Sequence, residues 1–292
     1  MIRQMMVITT GGLLCFSKNF VQAEFDSDLV SGFLTAMSSF AQEIKTGAVQ
    51  SMVFQNQKFC YAIDEETQTS FVFIIDILDI EEEVREKLDL AKNEFLKRYS
   101  DKLKEWTGDM SAFKEFHDFV DDHVFLPPKI LFVGFSGVGK TSILNLFPGE
   151  TILELDEDLN EIIRKPVVVE GILNLKQVEL REYDLGELVD NSKYYRNLLN
   201  SVQIICIVTS SASSNLGKTK RHFDMLKKLT QAATFYIIAN FQDQPDMAFE
   251  PEKIQELFEN TKTFGFSGIK NKSKDQMYEI MGEILKDRFL SE

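Results

Sequence analysis

Two domains are expected, an α/β domain with a mainly parallel sheet and helices on both faces, preceded by an α+β domain. Three observations predict this. Pro127-Pro128 break a helical run and mark a boundary, giving domains over residues 1–126 and 127–292. Beyond the prolines, apolar strands alternate with helices, the succession that builds a parallel sheet through crossover connections. Before them the order is two strands, a helix, three strands and two helices.

The N-terminal elements follow from periodicity. Met5–Thr9 and Leu13–Phe20 flank Gly11-Gly12 and read as a hairpin. Asp26 and Ser27 are N-cap candidates for a helix reaching about Lys45, in which Leu29, Phe33, Met37, Phe40 and Ile44 would share one buried face. Strands are expected at Val49–Phe54, Phe59–Ile63 and Ser70–Leu78. The last is rich in aromatic and β-branched residues and should be central. A long helix over Ile80–Trp106 carries the stripe Val84, Leu88, Ala91, Phe95, Tyr99 and Leu103, with Glu81-Glu82-Glu83 at its positive end. A shorter helix, Ser111–Val124, would turn Phe113, Phe116 and Val120 inward.

In the C-terminal domain strands are expected at Ile130–Gly134, Val167–Leu173, Gln177–Tyr183, Ile204–Val208 and Phe235–Ala239, and helices at Thr141–Leu146, Lys218–Leu229 and Lys274–Phe289.

Composition narrows the functional classes. A chain of 292 residues with 44% hydrophobic and 27% charged residues can bury two cores. A net charge of −14 opposes sequence-independent nucleic-acid binding and general docking on anionic lipid. Cys15, Cys60 and Cys206 lack CxxC spacing and read as buried reduced thiols of a cytoplasmic protein, and the three histidines are too dispersed for a metal site. No apolar run reaches the ~18 residues of a membrane span. No signal peptide or lipidation motif is evident, so no direct membrane anchor is expected and recruitment to membranes would run through partners.

Chemistry concentrates at Gly134-Phe135-Ser136-Gly137-Val138-Gly139-Lys140-Thr141, a full GxxxxGK[ST] pattern that follows an apolar strand and opens a helix. The glycines let backbone N–H groups of the run, Ser136 and Val138 included, wrap phosphates. The helix start through Ser142 adds its dipole. Lys140 would reach the terminal phosphates, and the Thr141 hydroxyl would ligate Mg²⁺. Ala239-Asn240-Phe241-Gln242-Asp243 ends a later strand at the edge where open α/β sheets bind ligands. The Asp243 carboxylate there can accept both the ring and exocyclic N–H groups of guanine, a pair adenine lacks. The expected ligand is therefore GTP or GDP with Mg²⁺.

These motifs resemble those of the Ras-like small GTPases, in particular the Arf and signal-recognition-particle-receptor β branch. Residues 239–245 (ANFQDQP) look like the ANKQDLP run of Arf proteins, and Asp184-Leu185-Gly186 like the start of the DxGGQ switch segment. Pro166-Val167 looks like the Pro-Thr of switch I, and Ser267-Gly268 resembles the SA of the last base-contacting loop, without its following lysine. The resemblance covers about Pro128 to the C-terminus. It implies a P-loop G domain in which Asp184 holds Mg²⁺ through water, Gly186 lies at the nucleotide, and Asn240, Phe241, Asp243, Ser267 and Gly268 surround the base.

The departures bear on hydrolysis. Val167 replaces the threonine that ligates Mg²⁺ and has no oxygen to offer. Glu187 replaces a glycine, and its carboxylate would repel a γ-phosphate. Leu188 replaces the glutamine that orients the attacking water. Phe241 replaces a lysine, though an aromatic face can still cover the base. Arg164, three residues before Val167, has the spacing of the arginine finger of heterotrimeric G-protein α subunits and is the catalytic candidate. The alternative is a solvated arginine on a loop. The acidic stretch Glu154–Glu161 reads as a solvated loop and helix face, or as the source of a replacement Mg²⁺ ligand.

The N-terminal domain resembles the longin domain in element order and opening hairpin. A generic α+β domain and a roadblock domain are the alternatives. Longin domains bind small GTPases, membrane-traffic partners or one another, and none is catalytic. The resemblances together imply a guanine-nucleotide-binding switch or scaffold, slow to hydrolyse GTP, in membrane-traffic-type or cell-organisation processes. Its partners would be regulators, longin or other GTPase domains, or a second copy in a homodimer. The alternative is a pseudo-GTPase that binds nucleotide without turnover.

Overall fold

Alternation along the first strands decides the layers of the N-terminal half. In the computed structural model, which describes residues 1–21, 27–43, 51–54, 57–155, 161–169, 175–230, 233–244, 246–268 and 272–290, the chain divides into two units, Met1–Pro127 and Pro128–Glu292.

The first unit holds β1 (Ile2–Ile8), β2 (Leu14–Asn19), α1 (Ser27–Glu43), β3 (Ser51–Val53), β4 (Gln57–Ile63), β5 (Ser70–Asp76) and α2 (Glu81–Lys104). The strands form one antiparallel sheet in the order β2-β1-β5-β4-β3, with β5 central as its composition led us to expect. Successive side chains face opposite ways. Met5, Val7, Phe71, Phe73 and Ile75 therefore pack with the α2 stripe Val84, Leu88, Ala91, Phe95 and Tyr99, whereas Met6, Ile8, Val72 and Ile74 pack with Val30 and Leu34 of α1. The sheet is thus covered on both faces. Phe95 lies among the rings of Phe16, Phe71, Tyr99, Phe113 and Phe116, with centroids 5.0–6.2 Å apart.

Two expectations change here. The buried stripe of α1 is Val30 and Leu34, while Leu29 is 75% and Phe33 44% exposed. A helix turns about 100° per residue, so this second i, i+4 pair lies one step round and takes the sheet-facing position. Asp26, Ile44 and Lys45, and Val49 of the next expected strand, lie outside the described residues. The helix expected over 111–124 is instead a 3₁₀ turn (Met110–Phe113), a short helix α3 (Phe116–Phe119) and a π turn (Val120–Val124). The Asp109 carboxylate starts the segment by accepting from the Ser111 N–H and hydroxyl, and Phe113, Phe116 and Val120 are buried.

The second unit holds β6 (Lys129–Gly134), α4 (Lys140–Leu144), β7 (Ile152–Leu155), β8 (Glu161–Val168), β9 (Gln177–Asp184), α5 (Leu185–Asp190), α6 (Arg196–Ser201), β10 (Ile204–Ser210), α7 (Ser213–Leu229), β11 (Thr234–Asn240), α8 (Pro251–Leu257), β12 (Thr263–Gly265) and α9 (Ser273–Leu290). The sheet order is β12-β11-β10-β6-β9-β8-β7. From β12 to β9 the neighbours are parallel, while β8 and β7 join antiparallel. The central strands are apolar on both faces, as parallel strands covered by helices must be. Leu131, Val133, Ile205, Ile207 and Ile237 pack on α5, α7 and α8. From the other face of β11, the Tyr236 hydroxyl donates to Asp287 of α9 at 2.8 Å.

The region after α4 differs most from expectation. In place of a strand over 167–173 the chain forms β8, ending at Val168, with residues 170–173 outside the described set. Of the acidic stretch, Glu154 and Leu155 belong to β7 and Glu161 to β8, so its two ends are strand where a loop and helix face were expected, and residues 156–160 lie outside the described set. All three cysteines are buried and free, and burial pushes the Cys15 thiol up to about 12. No described helix is long and apolar enough to cross a membrane.

Candidate nucleotide site

The phosphate loop starts where β6 ends, and contact geometry sets its glycines. A Cβ on Gly134 would stand 2.3 Å from the Val208 carbonyl oxygen. One on Gly139, whose φ is +97°, would stand 2.3 Å from Asn240 Nδ2. Gly137 has φ +80°, a left-handed conformation that costs other residues strain. Buried Lys140 opens α4, and its Nζ donates to the carbonyl oxygens of Gly134 (2.8 Å) and Phe135 (3.1 Å). The neighbouring Thr141 hydroxyl donates to Glu182 Oε1 at 2.9 Å.

The loop after β11 is tied to the phosphate loop from the other side. Asn240, 2% exposed, donates from Nδ2 to the Val138 carbonyl at 2.9 Å, and its Oδ1 accepts from the Phe241 N–H at 2.8 Å. Phe241 is held at φ +67°. Buried Ser267, following β12, donates its hydroxyl to Asp243 Oδ1 at 2.5 Å, and the Gln242 N–H donates to the Phe266 carbonyl. Three segments distant in sequence thereby converge at the C-terminal ends of parallel strands, where open α/β sheets take their ligands. Between them lies a cavity of about 360 Å³, lined by Ser136, Gly137, Gly139, Lys140, Thr141 and Ser142, by Asn240 and Phe241, and by Gly268 and Glu182.

The profile of the ADP-ribosylation factor (Arf) family matches residues 124–284, more than half of the chain. The chain belongs to the Arf family. It is by that membership a GTP-binding Arf-like protein, and Arf-family GTPases bind GTP or GDP with Mg²⁺. No curated protein matches the chain.

The cavity suits a magnesium nucleotide. Mg²⁺ prefers oxygen ligands and is usually bound through one or two carboxylates and the phosphates of the substrate. Here the Thr141 hydroxyl meets the Glu182 carboxylate, and Glu182 Oε2 is buried with no hydrogen-bond partner. Among the described residues no cluster of three or more His, Cys, Asp or Glu forms a metal cage, and at such sites phosphate oxygens and waters supply the remaining ligands.

Other positions singled out in the sequence are not among the residues lining this cavity, although Asp184 pairs with Gly134 at the start of the phosphate loop. Asp184 is the N-cap of α5: its Oδ1 accepts from the N–H groups of Gly186 (2.8 Å) and Glu187 (3.1 Å). Leu188, 0% exposed, packs in the core with Leu131 and Val133. Glu187 Oε1 accepts from the Tyr195 hydroxyl at 2.8 Å. Val167 is buried on β8 opposite Val178, so the Pro166-Val167 pair is not beside the phosphate loop: Val178 is six residues before Asp184, roughly 20 Å at the usual strand rise. Pro245 of the matched run lies outside the described residues.

Arg164 also changes place. It pairs with Arg181 across β8 and β9, and its guanidinium lies 4.0 Å from Glu179. Alternation puts Arg164, Arg181 and Glu179 on one face of the sheet and Glu182 on the other. The structure does not bring Arg164 into the cavity.

Glu182 is the site residue that motif reading missed. The signal was present in Gln177–Asp184, where Val178, Leu180, Glu182 and Asp184 alternate onto one face. A carboxylate two residues before Asp184 must share its face.

Proposed function

We propose that the protein is a guanine-nucleotide-binding switch or scaffold that holds Mg²⁺·GTP and hydrolyses it slowly without help. One observation carries the slow step: Leu188 is sealed in the core and Glu187 is bonded to Tyr195. The buried leucine has no polar atom with which to orient a water against a γ-phosphate, the role the family's glutamine plays.

The chain's own groups supply binding. Backbone N–H groups of residues 136–142, at the start of α4, would hold the phosphates. Lys140, now on two backbone carbonyls, would hold the terminal phosphates through a charge-assisted contact. Phe241 offers a face to the base, and Asp243, oriented by Ser267, accepts from guanine N–H groups. When bound, Mg²⁺ neutralises phosphate charge.

The N-terminal unit is read as a longin-like module for protein partners in membrane-traffic-type or cell-organisation processes. A five-stranded antiparallel sheet between helices, with the order two strands, helix, three strands, helix, supports this reading. So does a partly exposed apolar group on that unit, in which the Phe33 and Phe54 rings lie 6.5 Å apart.

Single-turnover hydrolysis on GTP-loaded protein tests the proposal. We expect a rate below the roughly 10⁻⁴ s⁻¹ scale of an unassisted small GTPase. Measurable turnover with different partners in the two nucleotide forms marks the switch, and none marks a pseudo-GTPase scaffold. Rapid unassisted turnover would contradict both.

A further inference from the structure

Glu182 stands in the phosphate cavity, where simple electrostatics disfavours a carboxylate. Its side chain is 12% exposed, Oε1 accepts from Thr141 at 2.9 Å and lies 3.9 Å from Lys140 Nζ, and Oε2 is buried with no partner. A buried carboxylate oxygen lacking a donor is costly, and a bound water or ion is one way such a group is satisfied. Lys140 does not resolve the cost, because its ion pair is to Oε1 and leaves Oε2 without a partner, and the family's phosphate loop needs it for the nucleotide.

Loading the cavity makes the imbalance worse. A nucleoside di- or triphosphate brings several negative charges to Lys140 and Thr141, and Glu182 lines the same space. In a partly desolvated site, like charges a few ångströms apart repel strongly unless a cation lies among them. A divalent cation is the economical solution, since it is the largest local charge and takes carboxylate and phosphate oxygens together.

We propose that Glu182 supplies a carboxylate oxygen to the divalent cation that accompanies the nucleotide phosphates, alongside the Thr141 hydroxyl. The inference rests on the nucleotide-binding reading above and deepens it. It makes nucleotide retention unusually dependent on the cation: with metal, Glu182 holds the complex together, and without metal it expels the phosphates.

The test is release of N-methylanthraniloyl-GDP from the full chain into excess GDP, followed by fluorescence across a series of free Mg²⁺ concentrations and in EDTA. Glu182→Gln keeps the shape and removes the charge, and Glu182→Leu removes the ligand altogether. The proposal expects the Mg²⁺ midpoint for slowed release to rise by about tenfold or more in both variants, the scale of losing a supporting group at a metal site. It also expects release in EDTA to be slower from the variants than from the parent protein. The two arms move in opposite directions, which a folding defect would not produce.

Slower release from the variants at every Mg²⁺ concentration would mean that Glu182 only repels phosphate, and would overturn the proposal. Unchanged midpoints would overturn it too. Parent protein that retains no labelled GDP even in Mg²⁺ would bring down the nucleotide-binding reading and this proposal with it.

Discussion

At the scale of single residues, binding and turnover are predicted to rest on different side chains. Lys140 is poised at the phosphate loop, so Lys140→Ala should weaken labelled-GDP binding by one to two powers of ten, a charge-assisted hydrogen bond being worth about 1.5–3 kcal/mol. Leu188 gives the opposite kind of prediction. Restoring a glutamine by Leu188→Gln should leave single-turnover hydrolysis unrepaired, because the side chain enters a core instead of the cavity. Burying that amide should cost about 1–3 kcal/mol in urea denaturation. Hydrolysis rising to a family-like rate would show that position 188 reaches the γ-phosphate. The identities of Leu188 and Glu187 were legible in the sequence, but their placement was not. A motif specifies residue type at a spacing, whereas the start of α5 and the Tyr195 hydroxyl decide where these side chains go. Glu182 escaped reading for a related reason: it lies outside the contiguous motifs and enters the site only because β9 runs beside β6.

At the scale of elements, helix starts and strand alternation explain most of what the sequence showed and hid. Asp184 caps α5 through two backbone N–H groups. Asp184→Ala should therefore lower stability by about 1 kcal/mol in chemical denaturation, and Asp184→Asn, which keeps the accepting oxygen, should recover most of that loss. Equal losses in both would show that the cap contributes nothing. The α2 stripe was legible because its apolar positions recur on a single face for several turns. In α1 two apolar stripes lie side by side, Leu29-Phe33 and Val30-Leu34, and periodicity alone cannot choose between them. The sheet chose, by offering Met6, Ile8, Val72 and Ile74 to the second. The β7–β8 pair was hidden by charge: acidic residues between Glu154 and Glu161 suggested a solvated loop, yet Leu153 pairs with Ile163 across the two strands.

At the scale of the whole molecule, two units with separate cores should answer to ligand separately. Mg²⁺·GDP at about a hundred times its dissociation constant stabilises the binding unit by about 2.7 kcal/mol. Hydrogen exchange should show that protection in residues 128–292 and leave the β1–β5 sheet unchanged, whereas equal protection in both units would contradict independent folding. The parallel order of the second sheet was readable from strand–helix alternation, because crossover chirality leaves few topologies. The convergence of Gly139, Asn240 and Glu182 on one cavity was not readable, since it depends on strand order across the sheet. On the proposed function, this site holds GTP and hydrolyses it only slowly unaided. Denaturing the freshly purified full chain and identifying the released nucleotide by chromatography is the decisive measurement. Bound GTP is the expected result; GDP as the bound species would overturn the slow-hydrolysis reading.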